Sequence, residues 1–114
     1  AGWSLREDRI AATRSALEDT EERPAYYPGQ QGQRDEFLAA HPDAERVGTG
    51  DAPWLLAEGL DPSERLDPCF QREFWCGAMG EVPVPAPDAV EFIRKAVRLS
   101  NEVIAGTLNV SNMI

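Results

Sequence analysis

The chain has 114 residues, of which 42% are hydrophobic and 27% are charged, a balance typical of a folded domain rather than of a disordered chain. Its net charge of -9 at pH 7, with eleven scattered Lys and Arg residues, excludes a nucleic-acid partner because phosphate binding needs a basic surface. No apolar run approaches the roughly 20 residues that span a bilayer, so no membrane partner is expected. The N-terminus lacks a secretory signal pattern, which favours a cytoplasmic location.

The first predicted element is a helix in residues 1–23. Apolar residues recur weakly on one side of the stretch from about 5 to 20, which predicts a weakly amphipathic helix. An acidic run and then Pro24 end it, because proline lacks the backbone N–H that a helix interior uses. The acidic clusters of this region are interpreted as solvated surface.

Residues 24–52 are predicted to be loops around one short helix. Prolines, glycines and polar residues dominate this stretch, and such residues are typical of turns. The short helix is placed at about 33–41, where Phe37 enters the core and Pro42 stops the helix. The rest of the stretch, 42–52, is predicted to be a connector.

Residues 53–114 are predicted to carry the strands. The short apolar run at 53–57 is bounded by turn residues, which indicates a buried strand. A second strand is predicted at 79–84, although Pro83 restricts it to the edge of a sheet or the end of a ladder. Between the two strands, a loop is followed by mixed aromatic and charged residues without a clear preference.

The clearest predicted element is a helix from Asp88 to about residue 105. Asp88 and Glu91 form a capping-box pattern at its start, and Gly106 suits the left-handed turn that ends many helices. Apolar and small residues recur at spacings of three and four, which predicts one buried face. That face comprises Ala89, Phe92, Ile93, Ala96, Val97, Ser100 and Ile104.

A further strand is predicted to begin at Thr107, directly after this helix. Strand, helix and strand with short links form a βαβ unit, in which the strands are parallel and the crossover is right-handed. The fold class is therefore predicted to be α/β, with a βαβ unit, parallel strands and flanking helices. Parallel strands need cover on both faces, and this chain has little to supply it. We therefore expect a piece cut from a larger protein or, alternatively, a chain covered by a partner.

Residue types alone suggest no catalytic site and no metal site. Cys69 and Cys76 are the two cysteines, and two thiols are favoured over a disulfide between them. The single histidine, His41, is distant from both in sequence and is interpreted as a surface residue near a helix end, so no zinc site is predicted. A reactive thiol at Cys76 is one interpretation, but a small core residue is favoured because no basic partner lies nearby in sequence.

The segment 70–78 places one glutamate, Glu73, among aromatic residues. A carboxylate beside an aromatic ring can accept hydrogen bonds from ribose hydroxyls while the ring packs on a flat heterocycle. An ordinary surface glutamate beside core aromatics is the simpler interpretation of the composition alone.

The segment Arg72–Ala78, with the strand after it, resembles the Glu-Ile-Phe-Gly-Pro-Val motif of the NAD(P)-dependent aldehyde dehydrogenase superfamily. The end of the following helix, Leu99–Asn109, is similar to the family's Ala-Asn-x-x-x-x-Gly-Leu passage. A divergent bacterial branch of the family also resembles the chain at Ala25–Gly29. The resemblance is fullest over 68–114 and partial over 24–60.

The resemblance implies roles for two residues. Glu73 takes the place of the family's motif glutamate and is expected to bind the hydroxyls of the nicotinamide ribose of NAD or NADP. Trp75 takes the place of an aromatic residue, phenylalanine in the family, that lies against the nicotinamide end of the cofactor. Cys76 and Gly77 replace the family's Gly-Pro, a departure that leaves the local loop shape open, and Cys76 is not the nucleophile.

The implied enzyme oxidises an aldehyde to a carboxylic acid through thiolate attack, hydride transfer to NAD or NADP, and thioester hydrolysis. The family's nucleophilic cysteine, general base and nucleotide-binding domain precede the motif, so no catalytic residue is predicted within 1–114. We expect the isolated chain, a partial catalytic domain, to be inactive. The alternative is a small acidic interaction module whose exposed strand edge pairs with a partner or with itself.

Overall fold

The computed structural model describes residues 5–24 and 26–106 of the chain. Within these residues the protein is a small mixed α/β domain with four helices and one three-stranded sheet. In chain order the elements are α1 (Arg6–Glu18), α2 (Gln30–Ala40), β1 (Glu45–Val47), β2 (Trp54–Ala57), α3 (Pro68–Gln71), β3 (Ala78–Gly80) and α4 (Ala89–Glu102). Among the described residues, no helix is both long enough and apolar enough to cross a membrane.

The sheet has the order β1-β2-β3, with β2 in the centre. β1 runs antiparallel to β2, whereas β3 runs parallel to it, with Leu55 opposite Ala78. The parallel pair confirms a mixed α/β fold. The connection between β2 and β3 is the segment 58–77, which contains α3. The predicted βαβ unit is instead centred on the helix that is α4. The strand predicted from Thr107 lies outside the described residues.

The main hydrophobic cluster lies on one face of β2, because side chains alternate between the two faces of a strand, and Leu56 is buried on the other face. Leu55 and Ala57 belong to this cluster and meet aromatic side chains from α2 and α3. Phe37, as the sequence predicts, and Phe70 are almost completely buried. Burial of each of these rings contributes about 1.5–3 kcal/mol. The buried residues of this cluster are Phe37, Ala44, Leu55, Ala57, Leu60 and Phe70.

Helix α1 is attached to the sheet by two arginines and one buried side chain. Arg6, Ile10 and Arg14 are spaced by four residues and therefore share one face of the helix. The Arg6 guanidinium donates to both carboxylate oxygens of Glu81, at 2.9 and 2.7 Å. Arg14 bonds to Glu45 on β1 at 2.8 Å. The predicted N-terminal helix is thus confirmed, and ion pairs supplement its weak apolar pattern.

Two elements in the first half differ from the prediction. Helix α2 begins at Gln30, earlier than predicted, because Gly29 adopts a positive φ of 79° and turns the chain into the helix. Residues 45–47, predicted to lie in a connector, form β1. Their pattern is too short and too polar to indicate a strand, and pairing with β2 creates it.

The strand predicted at 79–84 is shorter in the structure, because β3 ends at Gly80. Glu81 still bonds to the neighbouring strand, since its N–H donates to the carbonyl oxygen of Ala57 at 2.8 Å. The Pro-rich link to α4 then leaves the sheet, because proline has no N–H to donate to a ladder.

Helix α4 begins where predicted, but it ends at Glu102 with Val103 as its C-cap, so Gly106 does not end it. The helix also lacks the predicted burial. Its apolar face is open to solvent, and 57% of Ile93 and 53% of Val97 are exposed. At its C-terminal end Val103 packs against the core, and the N–H of Ala105 donates to the carbonyl oxygen of Phe70 at 2.9 Å. The spacing of apolar residues shows that a helix has an apolar face but does not show what covers it. The prediction of a buried face is therefore wrong for the part of the chain that the structure describes.

Candidate functional site

A cleft of about 520 Å³ lies between the core and the segment that follows α4. Its lining includes Phe37 and Phe70 from the core, and Ile104 and Gly106 from the segment after α4. The chain between α3 and β3 adds charged and aromatic side chains to this mostly apolar lining. A cleft of this size falls in the range of about 300–1,000 Å³ that is typical of small-molecule sites.

Glu73 lies in the segment between α3 and β3 and lines this cleft. Its Oε1 is 3.1 Å from the position that a Cβ on Gly106 would take. The neighbouring Arg72 forms an ion pair with Glu36, so the arginine charge is engaged there. Glu73 is exposed, and within the described part of the chain its carboxylate accepts no hydrogen bond.

Trp75 lines the same cleft and is 44% exposed. Its backbone N–H donates to Oε1 of Gln33 on α2 at 2.6 Å. Its ring meets Tyr27 edge to face, with centroids 5.4 Å apart and planes at 62°. The fold therefore brings both predicted site residues, Glu73 and Trp75, to one cleft.

Both cysteines are free thiols, in agreement with the preference for thiols over a disulfide. Burial raises the pKa of the Cys76 thiol, although the charges of Arg34 and Arg72 act in the opposite direction. The thiol is therefore protonated at neutral pH and is a poor nucleophile. At Gly77 a Cβ would lie 2.9 Å from a ring carbon of Trp54, so close packing on that ring requires glycine here.

Three polar side chains that are separated in sequence meet where α2 ends. His41 Nε2 lies 3.1 Å from Asp67 Oδ1 and 3.4 Å from Cys69 Sγ. The His41 and Asp67 side chains are only 14% and 10% exposed. The interpretation of His41 as a surface residue distant from the cysteines is therefore wrong, because folding brings it to Cys69.

The local fold places each member of this cluster. The N–H of His41 donates to the carbonyl oxygen of Phe37 at 2.8 Å as α2 ends. Asp67 is the N-cap of α3, and its carboxylate accepts from the N–H of Cys69 at 2.8 Å. Burial and the Asp67 carboxylate raise the pKa of the Cys69 thiol to about 12. An Asp-Pro pair indicates a helix start in sequence, but a contact across 26 residues depends on how α2 and α3 pack.

These features define a mixed α/β domain whose apolar cleft carries a carboxylate and an indole ring. No family model, no curated protein and no solved structure matches the chain. Its function is therefore inferred from the residues of the cleft and from the resemblance of their motif.

Proposed function

We propose that the chain is part of the catalytic domain of an NAD(P)-dependent aldehyde dehydrogenase, an enzyme that oxidises an aldehyde to a carboxylic acid. In this proposal the cleft receives the nicotinamide-ribose end of NAD or NADP. The observation that carries the proposal is that Glu73 and Trp75 line one cleft. The resemblance over 68–114 assigns the same two residues to the cofactor from sequence alone.

The residues of the cleft fit a nucleoside better than a whole dinucleotide. A carboxylate can accept hydrogen bonds from ribose hydroxyls, and an indole ring with apolar neighbours can pack against a flat heterocycle. A pyrophosphate needs backbone N–H groups such as those of a Gly-rich loop, and the sequence has no such loop. The phosphates of the cofactor would therefore be held by another part of the enzyme.

Glu73 would orient the ribose. Hydrogen bonds to an ionised carboxylate are stronger than those between neutral groups, so this residue can fix the position of the sugar. Gly106 gives the carboxylate room, because a Cβ there would approach Oε1. Gly106 also belongs to the passage that resembles the family's Ala-Asn-x-x-x-x-Gly-Leu. The two motifs behind the resemblance thus meet in space at the cleft.

Trp75 would lie against the nicotinamide end. The backbone bond to Gln33 and the contact with Tyr27 hold the residue while part of its ring stays exposed. A bound cofactor would supply the hydride acceptor, and Glu73 and Trp75 would orient its reacting end. The nucleophile and the general base would come from the rest of the enzyme, so the isolated chain is expected to be inactive.

The open face of α4 supports membership in a larger domain. An amphipathic helix gains most of its stability when its apolar face packs against other elements. In the described residues that face is exposed along most of its length. In our proposal the remainder of the catalytic domain covers it.

The test uses the gene product that contains this chain. We expect it to oxidise aldehydes with NAD or NADP, measured as NAD(P)H formation. Glu73→Gln keeps the shape of the side chain but weakens the acceptor, so kcat/KM should fall about tenfold, or about 1.4 kcal/mol. Glu21→Gln, at an exposed glutamate outside the cleft, should leave kcat/KM unchanged. Unchanged kinetics in Glu73→Gln would contradict the proposed role of that residue in cofactor binding. A gene product inactive on every aldehyde class would contradict the proposal of an aldehyde dehydrogenase.

A second candidate is a small acidic module that binds a partner or a second copy of itself. The exposed face of α4 favours it more than the strand edges do, because β1 and β3 have only three residues each. A gene that encodes residues 1–114 alone, and a chain that dimerises in analytical ultracentrifugation, would favour this module over the enzyme.

A further inference from the structure

We propose that His41, Asp67 and Cys69 bind a divalent transition-metal ion and that Zn²⁺ is the best match. The imidazole nitrogen, the carboxylate oxygen and the sulfur all lie within 4.8 Å of one another. These are the three donor types that Zn²⁺ takes in proteins. The proposal goes beyond the cofactor cleft and does not depend on it.

The distances within the cluster suit a tetrahedral ion. Zn²⁺ lies about 2.0–2.1 Å from nitrogen, about 2.3 Å from sulfur and about 2.0–2.2 Å from oxygen. Tetrahedral angles then separate nitrogen and oxygen by about 3.4 Å, and nitrogen and sulfur by about 3.6 Å. In the structure His41 Nε2 lies 3.1 Å from Asp67 Oδ1 and 3.4 Å from Cys69 Sγ. The two separations that involve His41 therefore need to change by only a few tenths of an ångström to admit the ion, and the Asp67 oxygen and the Cys69 sulfur lie within 4.8 Å of each other.

The same three residue types can also form a proton relay, but their geometry here argues against one. A relay uses both imidazole nitrogens, one toward the carboxylate and the other toward the nucleophile. In this cluster Nε2 of His41 faces both Asp67 Oδ1 and Cys69 Sγ. A single ring nitrogen cannot donate to one group and accept from the other at once. Convergence of three donor atoms on one point is instead what a metal ion requires.

The cluster is held in position by its surroundings. The Asp67 carboxylate is fixed by the N–H of Cys69, and the His41 ring lies 5.2 Å from the Phe37 ring, centroid to centroid. Both the imidazole and the carboxylate are largely buried. Ligands that are ordered before binding lose little conformational freedom when the ion enters, which favours affinity.

A polar pocket of about 340 Å³ adjoins the cluster and is lined by His41 and Asp67. Its lining, as far as the structure describes it, includes no Lys or Arg, so the local field favours a cation. Its open space leaves a fourth coordination position for water, as in zinc sites that keep one position open. Four further carboxylates line the pocket: Asp43, Asp61, Glu64 and Glu58, the last of which is paired with Arg14.

Binding exchanges a proton for the ion. The bond between Cys69 Sγ and the metal forms as the S–H bond breaks, and the proton leaves to solvent without any oxidant or reductant. The charge of the ion compensates the thiolate and the Asp67 carboxylate, which would otherwise repel each other in a largely buried site.

The first test is a Zn²⁺ titration of the full chain by calorimetry. We expect one bound ion per chain, and a Kd raised more than about tenfold by His41→Ala or Asp67→Asn, because even residues that merely orient metal ligands contribute about 10–100-fold. Asparagine keeps the ability to cap α3, so the loss in Asp67→Asn reports ligation. Asp43→Asn, in the same pocket but outside the cluster, should change the Kd less than about threefold.

A second measurement leaves the cluster intact and so does not depend on how its variants fold. Cys76→Ser makes Cys69 the sole thiol of the chain. Co²⁺ added to this variant should give a thiolate-to-metal charge-transfer absorption, which Zn²⁺ then removes by displacing Co²⁺. Co²⁺ binding without this absorption would place the ion on the acidic pocket alone and overturn the proposal. So would Zn²⁺ binding that Asp67→Asn leaves unchanged, or no Zn²⁺ binding at all.

Discussion

Glu81 is a single residue that joins three parts of the molecule. Its carboxylate accepts two hydrogen bonds from Arg6 on α1 and one from the N–H of Gly59, at 2.9 Å. Its backbone N–H and carbonyl oxygen bond to Ala57 and Leu60. The Arg6 hydrogen bonds hold the pKa of Glu81 below its usual range, against the opposing effect of burial.

This arrangement predicts that acid weakens the fold through Glu81. Because its pKa is lower in the folded chain, its contribution is present above the unfolded value of about 4.3 and is lost as the pH falls through the folded value. Arg6 is the cation that faces it, and Arg6 also pairs with Glu7. When the pH is lowered from about 7 to about 3, the urea midpoint of unfolding should therefore decrease less in Glu81→Gln than in the wild type. The exposed-site control Glu21→Gln should follow the wild type, and parallel curves for all three chains would contradict this coupling.

The backbone conformation of Gly106 predicts how a side chain at this position would affect stability. Its φ of 152° is rare for residues with a side chain, and a Cβ there would approach Glu73. Gly106→Ala should therefore lower the free energy of unfolding by about 1–3 kcal/mol in urea titrations. The matched change Gly32→Ala, in α2 with nothing within 4 Å of its Cβ, should raise it by about 0.5–1 kcal/mol. Equal effects of the two substitutions would show that the backbone at Gly106 is not constrained.

Among the elements, α4 shows how far local sequence predicts structure. The Asp88 side chain accepts from the N–H of Glu91 at 2.9 Å, so the predicted start of the helix is confirmed, whereas the predicted stop at Gly106 is not. Capping and periodicity are local properties, which a single sequence displays. Burial depends on which other elements approach the helix, and no local pattern contains that information.

The exposure of α4 predicts that its apolar residues contribute little to the stability of this chain. Val97→Ala should change the free energy of unfolding by less than about 0.5 kcal/mol, because 53% of the residue is already exposed. Leu55→Ala, at a residue that is 1% exposed on β2, should cost about 2–5 kcal/mol. Chemical denaturation of both variants measures the contrast. If Val97→Ala cost about as much stability as Leu55→Ala, the apolar face of α4 would be buried, as the sequence predicts.

Pairing between elements was the part of the fold that the sequence did not reveal. The apolar run at 53–57 indicates β2, but its parallel partner β3 follows a crossover of some twenty residues, and β1 is too short to identify before pairing. The two proposed sites also differ in how much of each a local sequence pattern can indicate. Glu73 and Trp75 lie close together in one motif, so a resemblance could find them. His41 and Cys69 meet only because α2 packs beside α3.

For the whole molecule, the net charge argues against a phosphate-binding site within this chain. The net charge of -9 repels a pyrophosphate, and the cleft offers a carboxylate and apolar walls rather than phosphate ligands. A ribose contact of about 1–3 kcal/mol cannot offset the about 4–15 kcal/mol of translational and rotational freedom that a ligand loses on binding. The proposed function therefore requires a separate nucleotide-binding domain.

We accordingly expect no measurable binding of NAD(P)H by the 114-residue chain alone. Tryptophan fluorescence is the suitable measurement, because Trp75 lines the cleft and would be quenched by a nicotinamide ring beside it. Trp75→Phe separates the signal of Trp75 from those of the other two tryptophans and keeps an aromatic ring at that position. Saturable quenching in the wild-type chain that disappears in Trp75→Phe would show that the cleft holds the cofactor unaided. In that case the cleft would be a complete nucleotide site, and the requirement for a further domain would be wrong.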